Sequence, residues 1–139
     1  MQSSNLMLLP ERFAVCRVAA GNPIPQWASA GDFVSITRTA DEISIVCAER
    51  TVPADIRHEP GWRAFQVEGP LPFEATGILA AIAVPLAAAK ISIFAISTFD
   101  TDYVLVKEIH AARAAAVLAA AGHRIAGATS PLPERPPQP

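Results

Sequence analysis

The chain has 139 residues, of which 51% are hydrophobic and 17% are charged, and its formal net charge is −2. This apolar content excludes a wholly disordered protein and suits one compact domain or two very small ones. The near-neutral charge and the lack of a Lys/Arg-rich block disfavour nucleic acid as a partner.

The N-terminus, residues 1–10, has no basic segment of the kind that opens a signal peptide, and its apolar run is short. The most apolar stretch, residues 77–89, is shorter than the ~20 residues that a membrane span needs. We therefore expect a cytoplasmic protein with no membrane partner.

Short alternating runs in the first half predict strands. Residues 12–18 form one such run, and prolines then leave residues 26–30 room for only one or two helical turns. Residues 33–39 alternate as a half-buried strand, and residues 43–47 follow across a tight connection as the predicted antiparallel partner. Cys47 ends the second of these strands and is expected to be a small core residue, since the two cysteines lack metal-ligand spacing and imply no disulfide framework.

The second half has longer elements. Pro85 lies inside an apolar helical stripe and is expected to kink or split that helix. The run at 91–96 is β-branched and apolar on both faces, which predicts a central strand covered on both sides. The last helix ends at Gly122, a residue typical of helix C-termini. The predicted elements are a strand at 62–68, a helix at 77–89, strands at 91–96 and 103–106, a helix at 109–121 and a strand at 123–125.

This order of strand, helix, strand, strand, helix, strand is that of a ferredoxin-like βαββαβ unit, and the first half has the pattern of a degenerate copy. We therefore predict an α+β fold of two tandem units with antiparallel sheets and the helices on one face. The expected division is a degenerate first unit at 1–60, a second unit at 61–127 and a Pro-rich flexible tail at 128–139, which holds five of the 13 prolines.

No catalytic motif, metal-binding pattern or phosphate-binding loop is present, so neither an enzyme nor a cofactor is expected. The three histidines, His58, His110 and His123, are scattered along the chain. Surface or helix-capping roles are expected for each of them.

Two loops contain the remaining residues suited to binding a small molecule. In residues 72–78 a glycine precedes a helix whose first N–H groups suit a carboxylate, and residues 97–102 concentrate hydroxyls, an aromatic ring and two carboxylates. Together they predict a grip on a zwitterion, with the amides on its carboxylate and Asp102 on its ammonium. The alternative is that Thr76 only caps the helix and Asp100 and Thr101 only turn a hairpin.

Several blocks of the second half resemble ACT domains, and more narrowly the paired ACT units of the cytosolic arginine sensors of animal cells and their small bacterial relatives. Residues 33–39 with 43–46 are similar to the first unit of such a pair. The blocks of the second unit are FEATGIL at 73–79, AVPLA at 83–87, ISIF at 91–94, ISTF at 96–99 and DYVLV at 102–106.

The resemblance implies small ligands, usually amino acids, held at interfaces between units. One pair in this chain, where the sensors carry two, implies a homodimer. Pro72 and Ala75 depart from the sensors' ligand loop, so the resemblance implies an amino-acid ligand without naming arginine. The matching ligand-binding positions are Gly77 and Ile78 at the helix start, Thr98, Phe99, Thr101 and Asp102 in the loop, and Ser92 and Ile93 reaching the ligand of a second subunit.

The sequence therefore predicts a non-catalytic ACT-type regulatory or sensor protein that binds an amino-acid-like small molecule. The alternative is a dimeric interaction or assembly protein whose pocket is vestigial. A small enzyme is a third possibility, for which the sequence offers no nucleophile beside a base.

Overall fold

The computed structural model describes residues 2–129 and residue 132, so most of the predicted tail at 128–139 lies outside the described residues. It has the α+β fold class expected from the sequence. The strands are β1 (Asn5–Leu8), β2 (Phe13–Ala19), β3 (Ser35–Arg38), β4 (Glu42–Ala48), β5 (His58–Val67), β6 (Phe94–Ser97), β7 (Asp102–Lys107) and β8 (Arg124–Ala126), and the helices are α1 (Ile78–Ala88) and α2 (Ala111–Ala120).

Contacts divide the chain into two compact units that do not follow chain order. Among the described residues, the helical unit comprises 2–10 and 63–129, and the strand unit comprises Glu11–Trp62 with Leu132. The division by repeat, between residues 60 and 61, stays a prediction, because contacts group residues by packing and not by ancestry.

In the strand unit the sheet order is β3, β4, β2 and the first part of β5, all antiparallel. The predicted pair at 33–39 and 43–47 is confirmed, with Ile36 opposite Ile45. The short helical segment expected at 26–30 is a 3₁₀ turn at Gln26–Ser29. The core of this unit is formed by Ala14, Cys16, Ala28, Ile43, Ile45, Cys47 and Val52.

In the helical unit the strand order is β8, β1, β5, β7, β6. Strand β1 was not predicted; it lies antiparallel to β5, with Leu6 opposite Val67, and parallel to β8, with Leu6 opposite Ile125. The remaining four strands and two helices follow the predicted ferredoxin-like order. Strand β1 is thus inserted between β5 and β8 in the sheet of the helical unit.

Both helices pack on one face of this sheet, as expected. Their apolar side chains, such as Ile82 and Leu118, share one core with Leu6, Phe65 and Val104 from three strands. Full burial of each large aliphatic or aromatic side chain contributes about 1.5–3 kcal/mol. This core fixes the start of α1 over the end of the sheet where the candidate site lies.

The prediction of a central strand at 91–96 is wrong. Strand β6 begins at Phe94, and among the described strands it pairs only with β7, so it lies at the sheet edge with side chains that alternate between half-buried and exposed. The apolar run is divided, because Ile91 ends the turn after α1, where its N–H bonds to Leu86 O and its side chain enters the core.

Pro85 was expected to kink or split its helix, and the split is wrong, since α1 runs as one helix from Ile78 to Ala88. The carbonyl that lacks a donor because of Pro85 is that of Ala81, four residues earlier. This oxygen accepts a hydrogen bond from the ring of His123, 2.9 Å away. His123 is therefore a buried residue serving α1, and the expected surface or capping role is wrong for it.

Candidate functional site

The two loops singled out in the sequence meet at a cavity of about 300 Å³ in the helical unit. Six of the eight predicted ligand-binding residues line it: Gly77, Ile78, Thr98, Phe99, Thr101 and Asp102. Ser92 and Ile93 do not line it; they lie in the segment before β6, with Ser92 exposed and Ile93 half-buried. The resemblance placed these two residues at the ligand of another subunit.

The first wall of the cavity is the start of α1. Gly77, and not Thr76, is the N-cap residue, and its φ of +79° lies in the left-handed region that favours glycine. The first intrahelical bond runs from the N–H of Ala81 to Gly77 O. The N–H groups of Ile78, Leu79 and Ala80 precede that bond, at the positive end of the helix dipole, and all three residues line the cavity.

The second wall is the turn between β6 and β7. The N–H of Thr98 donates to Thr101 O at 2.8 Å, and the N–H of Thr101 donates to Thr98 Oγ1 at 3.3 Å. Thr101 Oγ1 donates to Val67 O at 2.5 Å, and Thr101 is only 5% exposed. These two threonine hydroxyls therefore build the turn and anchor it to β5.

Two carboxylates give this wall its charge. Ser97 Oγ donates to Asp102 Oδ1 at 2.6 Å, which fixes the orientation of that carboxylate. Asp100 is the second acidic residue of the lining, and the lining contains no Lys, Arg or His. Burial, and to a smaller extent the charge of Asp100, raise the pKa of the neighbouring Tyr103.

The loops are joined in two ways. The N–H of Leu71 donates to Asp100 O at 2.7 Å, close to Gly69, where a Cβ atom would lie only 2.9 Å from the same oxygen. Phe73 and Phe99 pack edge to face with centroids 4.8 Å apart, although their side chains are 73% and 78% exposed. The loops therefore hold each other in place, and two exposed aromatic rings stand at the cavity.

Sequence reasoning missed Phe73 as a lining residue. The sequence feature that could have identified it is an aromatic residue in the same loop, residues 72–78, as Gly77.

Within residues 2–129 and 132, no three His, Cys, Asp or Glu side chains are grouped so that they could hold a metal ion. None of the helices in that same part of the chain is long and apolar enough to cross a membrane.

Two protein-family models match the chain. One, described as an ACT domain, matches residues 57–120. The other, described as an N-terminal domain, matches residues 11–55.

Several solved structures share the fold. A crystal structure of a protein from Agobacterium tumefaciens is 42% identical, with a TM-score of 0.86, over 90% of this chain and 93% of that chain. A protein from Vibrio cholerae is 20% identical, with a TM-score of 0.70, over 86% and 90% of the two chains. The regulatory subunit of aspartate kinase from Thermus flavus is 9% identical, with a TM-score of 0.62, over 86% and 99%.

Curated relatives match over a shorter segment. The cytosolic arginine sensor for mTORC1 subunit 1 of Homo sapiens, and that of Bos taurus, are each 54% identical over 48 residues. This segment is 34% of the present chain and 15% of the sensor's length.

Proposed function

Because this chain belongs to the ACT-domain proteins, we propose that it is a non-catalytic regulatory protein that binds a free amino acid, or a similar zwitterion, in the cavity of its helical unit. The support from relatives is the ACT model over residues 57–120 and the local similarity to an arginine sensor. The similarity to the regulatory subunit of aspartate kinase from Thermus flavus supports the fold alone.

The observation that carries the proposal is the opposite polarity of the cavity's two walls. The N-terminus of α1 offers backbone donors and a partial positive charge, which stabilise a carboxylate. The turn between β6 and β7 offers the carboxylate of Asp102, held by Ser97, which suits an ammonium group. An α-amino acid carries both groups within one small molecule.

The side chain of the ligand would then lie toward Phe73 and Phe99. These rings provide apolar surface at the cavity, and Asp100 adds a second negative charge to the lining. A volume of about 300 Å³ is at the lower end of the range typical of small-molecule pockets. The proposal is therefore a single free amino acid and not a peptide.

We also propose that the protein is a homodimer in which Ser92 and Ile93 face the ligand of the partner subunit. The support is that these residues directly precede β6, which lies at the edge of the sheet among the described strands. Sedimentation equilibrium tests this proposal, and a monomer at high concentration would contradict it.

The binding test is a thermal-shift screen of the purified chain against the proteinogenic amino acids, followed by calorimetry of the hits. A ligand at about 100 times its Kd adds about 2.7 kcal/mol to the free energy of unfolding. We expect one amino acid, or a small related set, to bind saturably. A screen in which no amino acid binds would overturn the proposal.

Two matched variants locate the bound ligand. Asp102→Asn removes the charge proposed to hold the ammonium and should weaken binding by about tenfold or more. Ser97→Ala removes only the hydroxyl that orients that carboxylate, so its effect should be smaller. Equal affinity of the wild type and Asp102→Asn, with both folded, would place the ligand elsewhere.

A further inference from the structure

The sheet of the helical unit has a second cavity, on the face opposite the helices. Its volume is about 490 Å³, larger than that of the first cavity, and the two linings have no residue in common. Leu6, Val67 and Ile125 point into the helical core, so their neighbours along the three strands point to the open face of the sheet. This cavity is therefore separate from the amino-acid site proposed above.

The register of the strands places a carboxylate at one end of this cavity and a methionine at the other. Met7, in the middle strand β1, is opposite Gln66 of β5 and beside Ala126 of β8. Two residues earlier on the same face, Asn5 lies next to Glu68, whose N–H donates to Asn5 O at 2.8 Å. Met7 is 46% exposed, so it offers apolar surface that a ligand in the cavity would cover.

Close backbone contacts keep both sides of the cavity free of large side chains. At Gly69, which lines it next to β5, a Cβ atom would lie 2.9 Å from Asp100 O. At Gly127, which follows the lining residue Ala126, a Cβ atom would lie 2.5 Å from Leu8 O. Neither position can carry a side chain without a shift of the neighbouring backbone, so the fold itself leaves this space unfilled.

A single carboxylate gives the described lining its charge. Asn5 Nδ2 donates to Glu68 Oε2 at 2.6 Å, which fixes the orientation of that carboxylate and leaves its other oxygen able to accept a hydrogen bond. The described lining contains no Lys, Arg or His and no helix N-terminus. Arg124 lies on β8, across β1 from Glu68, and is outside the lining. The cavity therefore favours a cation and lacks what the first cavity offers to a carboxylate.

We propose that the second cavity binds a small primary amine without a carboxylate, with its ammonium at Glu68 and its apolar body over Met7. An ammonium group only donates hydrogen bonds, which suits the carboxylate of Glu68 and the amide oxygen of Gln66. The polarizable sulfur of Met7 makes favourable contacts with aromatic rings as well as with alkyl chains. A volume of about 490 Å³ is within the range of small-molecule pockets.

The first test is an NMR titration of the full chain, with isotope-labelled methionine methyl groups and backbone amides, against phenethylamine. The chain has two methionines, and Met7→Leu identifies the Met7 signal by its loss. We expect that signal to move saturably, with a Kd of about 1 mM or tighter. A Met7 signal that stays still at about ten times that concentration, or movement of the Thr101 amide signal of the first cavity instead, would overturn the proposal.

Glu68→Gln tests the role of the carboxylate. It should weaken phenethylamine binding by about threefold to fivefold, the effect of losing an exposed ion pair. Phenethyl alcohol, the neutral analogue, should bind the wild type and Glu68→Gln equally. Glu74→Gln is the matched control, because Glu74 is exposed in the same unit and lines neither cavity, and it should leave amine binding unchanged. Equal amine affinities of Glu68→Gln and Glu74→Gln, with both folded by circular dichroism, would contradict the assigned role.

Phenylalanine tests whether the cavity excludes a carboxylate. This amino acid has the ring and the ammonium of phenethylamine and adds a carboxylate, which would lie near Glu68 with no cation in the described lining to hold it. It should therefore move the Met7 signal only at higher concentrations than phenethylamine, whatever its affinity for the first cavity. An affinity for phenylalanine at Met7 equal to that for phenethylamine would overturn the proposal and leave the function proposed for the first cavity untouched.

Discussion

The ring of His123 makes the hydrogen bond that the backbone of Pro85 cannot make. His123 Nε2 lies 2.9 Å from the carbonyl oxygen of Ala81, and Nδ1 accepts from the N–H of Ser4 at 3.1 Å. Because Nδ1 is an acceptor, the proton of the neutral ring is on Nε2, where Ala81 requires a donor. One buried imidazole thus joins α1 to the segment that leads into β1.

This relationship predicts strong coupling between the two positions. His123→Leu leaves the Ala81 carbonyl without its donor and should lower the free energy of unfolding by about 1–3 kcal/mol. Pro85→Ala supplies a backbone N–H to the same carbonyl, so the loss from His123→Leu should be smaller in that background. Urea denaturation of the four proteins measures the coupling, and strictly additive effects would contradict it.

The two faces of β1 predict different losses of stability from alanine substitutions at the adjacent residues Leu6 and Met7. Leu6 is 2% exposed and points into the helical core, whereas Met7 is 46% exposed on the other face of β1. Leu6→Ala should therefore cost about 2–5 kcal/mol of stability, and Met7→Ala should cost less than about 1 kcal/mol. Chemical denaturation distinguishes the two, and similar losses would argue against β1 as a core strand.

The hydrogen bond from Thr101 to Val67 O anchors the β6–β7 turn, and it can be tested by removing only the threonine hydroxyl. Thr101→Val keeps the shape of the side chain but removes the bond to Val67 O, and should lower stability by about 1 kcal/mol. Thr101→Ser keeps the hydroxyl and should recover part of that loss. Thr37→Val, at an exposed site on β3, is the control for the substitution itself and should change stability little.

The raised pKa of Tyr103 predicts that the free energy of unfolding declines at alkaline pH. It is the single tyrosine of the chain, and its pKa is raised in the folded state by burial and by Asp100. As pH rises above the ordinary value of about 10, the unfolded chain loses this proton first, so the folded state binds more protons and stability falls.

An absorbance titration of tyrosinate checks this directly. The native midpoint should lie above that of the urea-unfolded chain, and Asp100→Asn should move it down by removing the smaller cause. In Tyr103→Phe this contribution to the alkaline fall should be absent. Coincident native and unfolded midpoints would refute the prediction.

Strong periodicity allowed most elements to be predicted, and its absence explains the errors. The alternation at 33–39 identified β3, and the apolar residues at 43–47, just after a tight connection, identified its partner β4. Strand β1 has only four residues, and Met7 is apolar on its exposed face, so no alternation marked it. The run at 91–96 is apolar throughout, and nothing local indicates that its first residues end the turn after α1.

The candidate site was predictable to the level of its loops. Gly77 before a helix and the polar turn at 97–102 are local signals, and the structure brings them to one cavity. The hydrogen bond from Thr101 to Val67 joins the turn between β6 and β7 to strand β5. The two residues are far apart in the sequence, so no local pattern near either one indicates the other as its partner. Consequently the threonines could be located, but their anchoring role could not be foreseen.

The position of β1 has a consequence for how the chain acquires its structure during synthesis. Leu6 pairs with Val67 and with Ile125, so β1 can complete its pairings only after β5 and β8 have been synthesised. Such distant pairings slow folding, because a long loop must close before any contact rewards it. Strands β2, β3 and β4 pair over much shorter separations. The strand unit is therefore expected to form during translation, and the helical unit only after it.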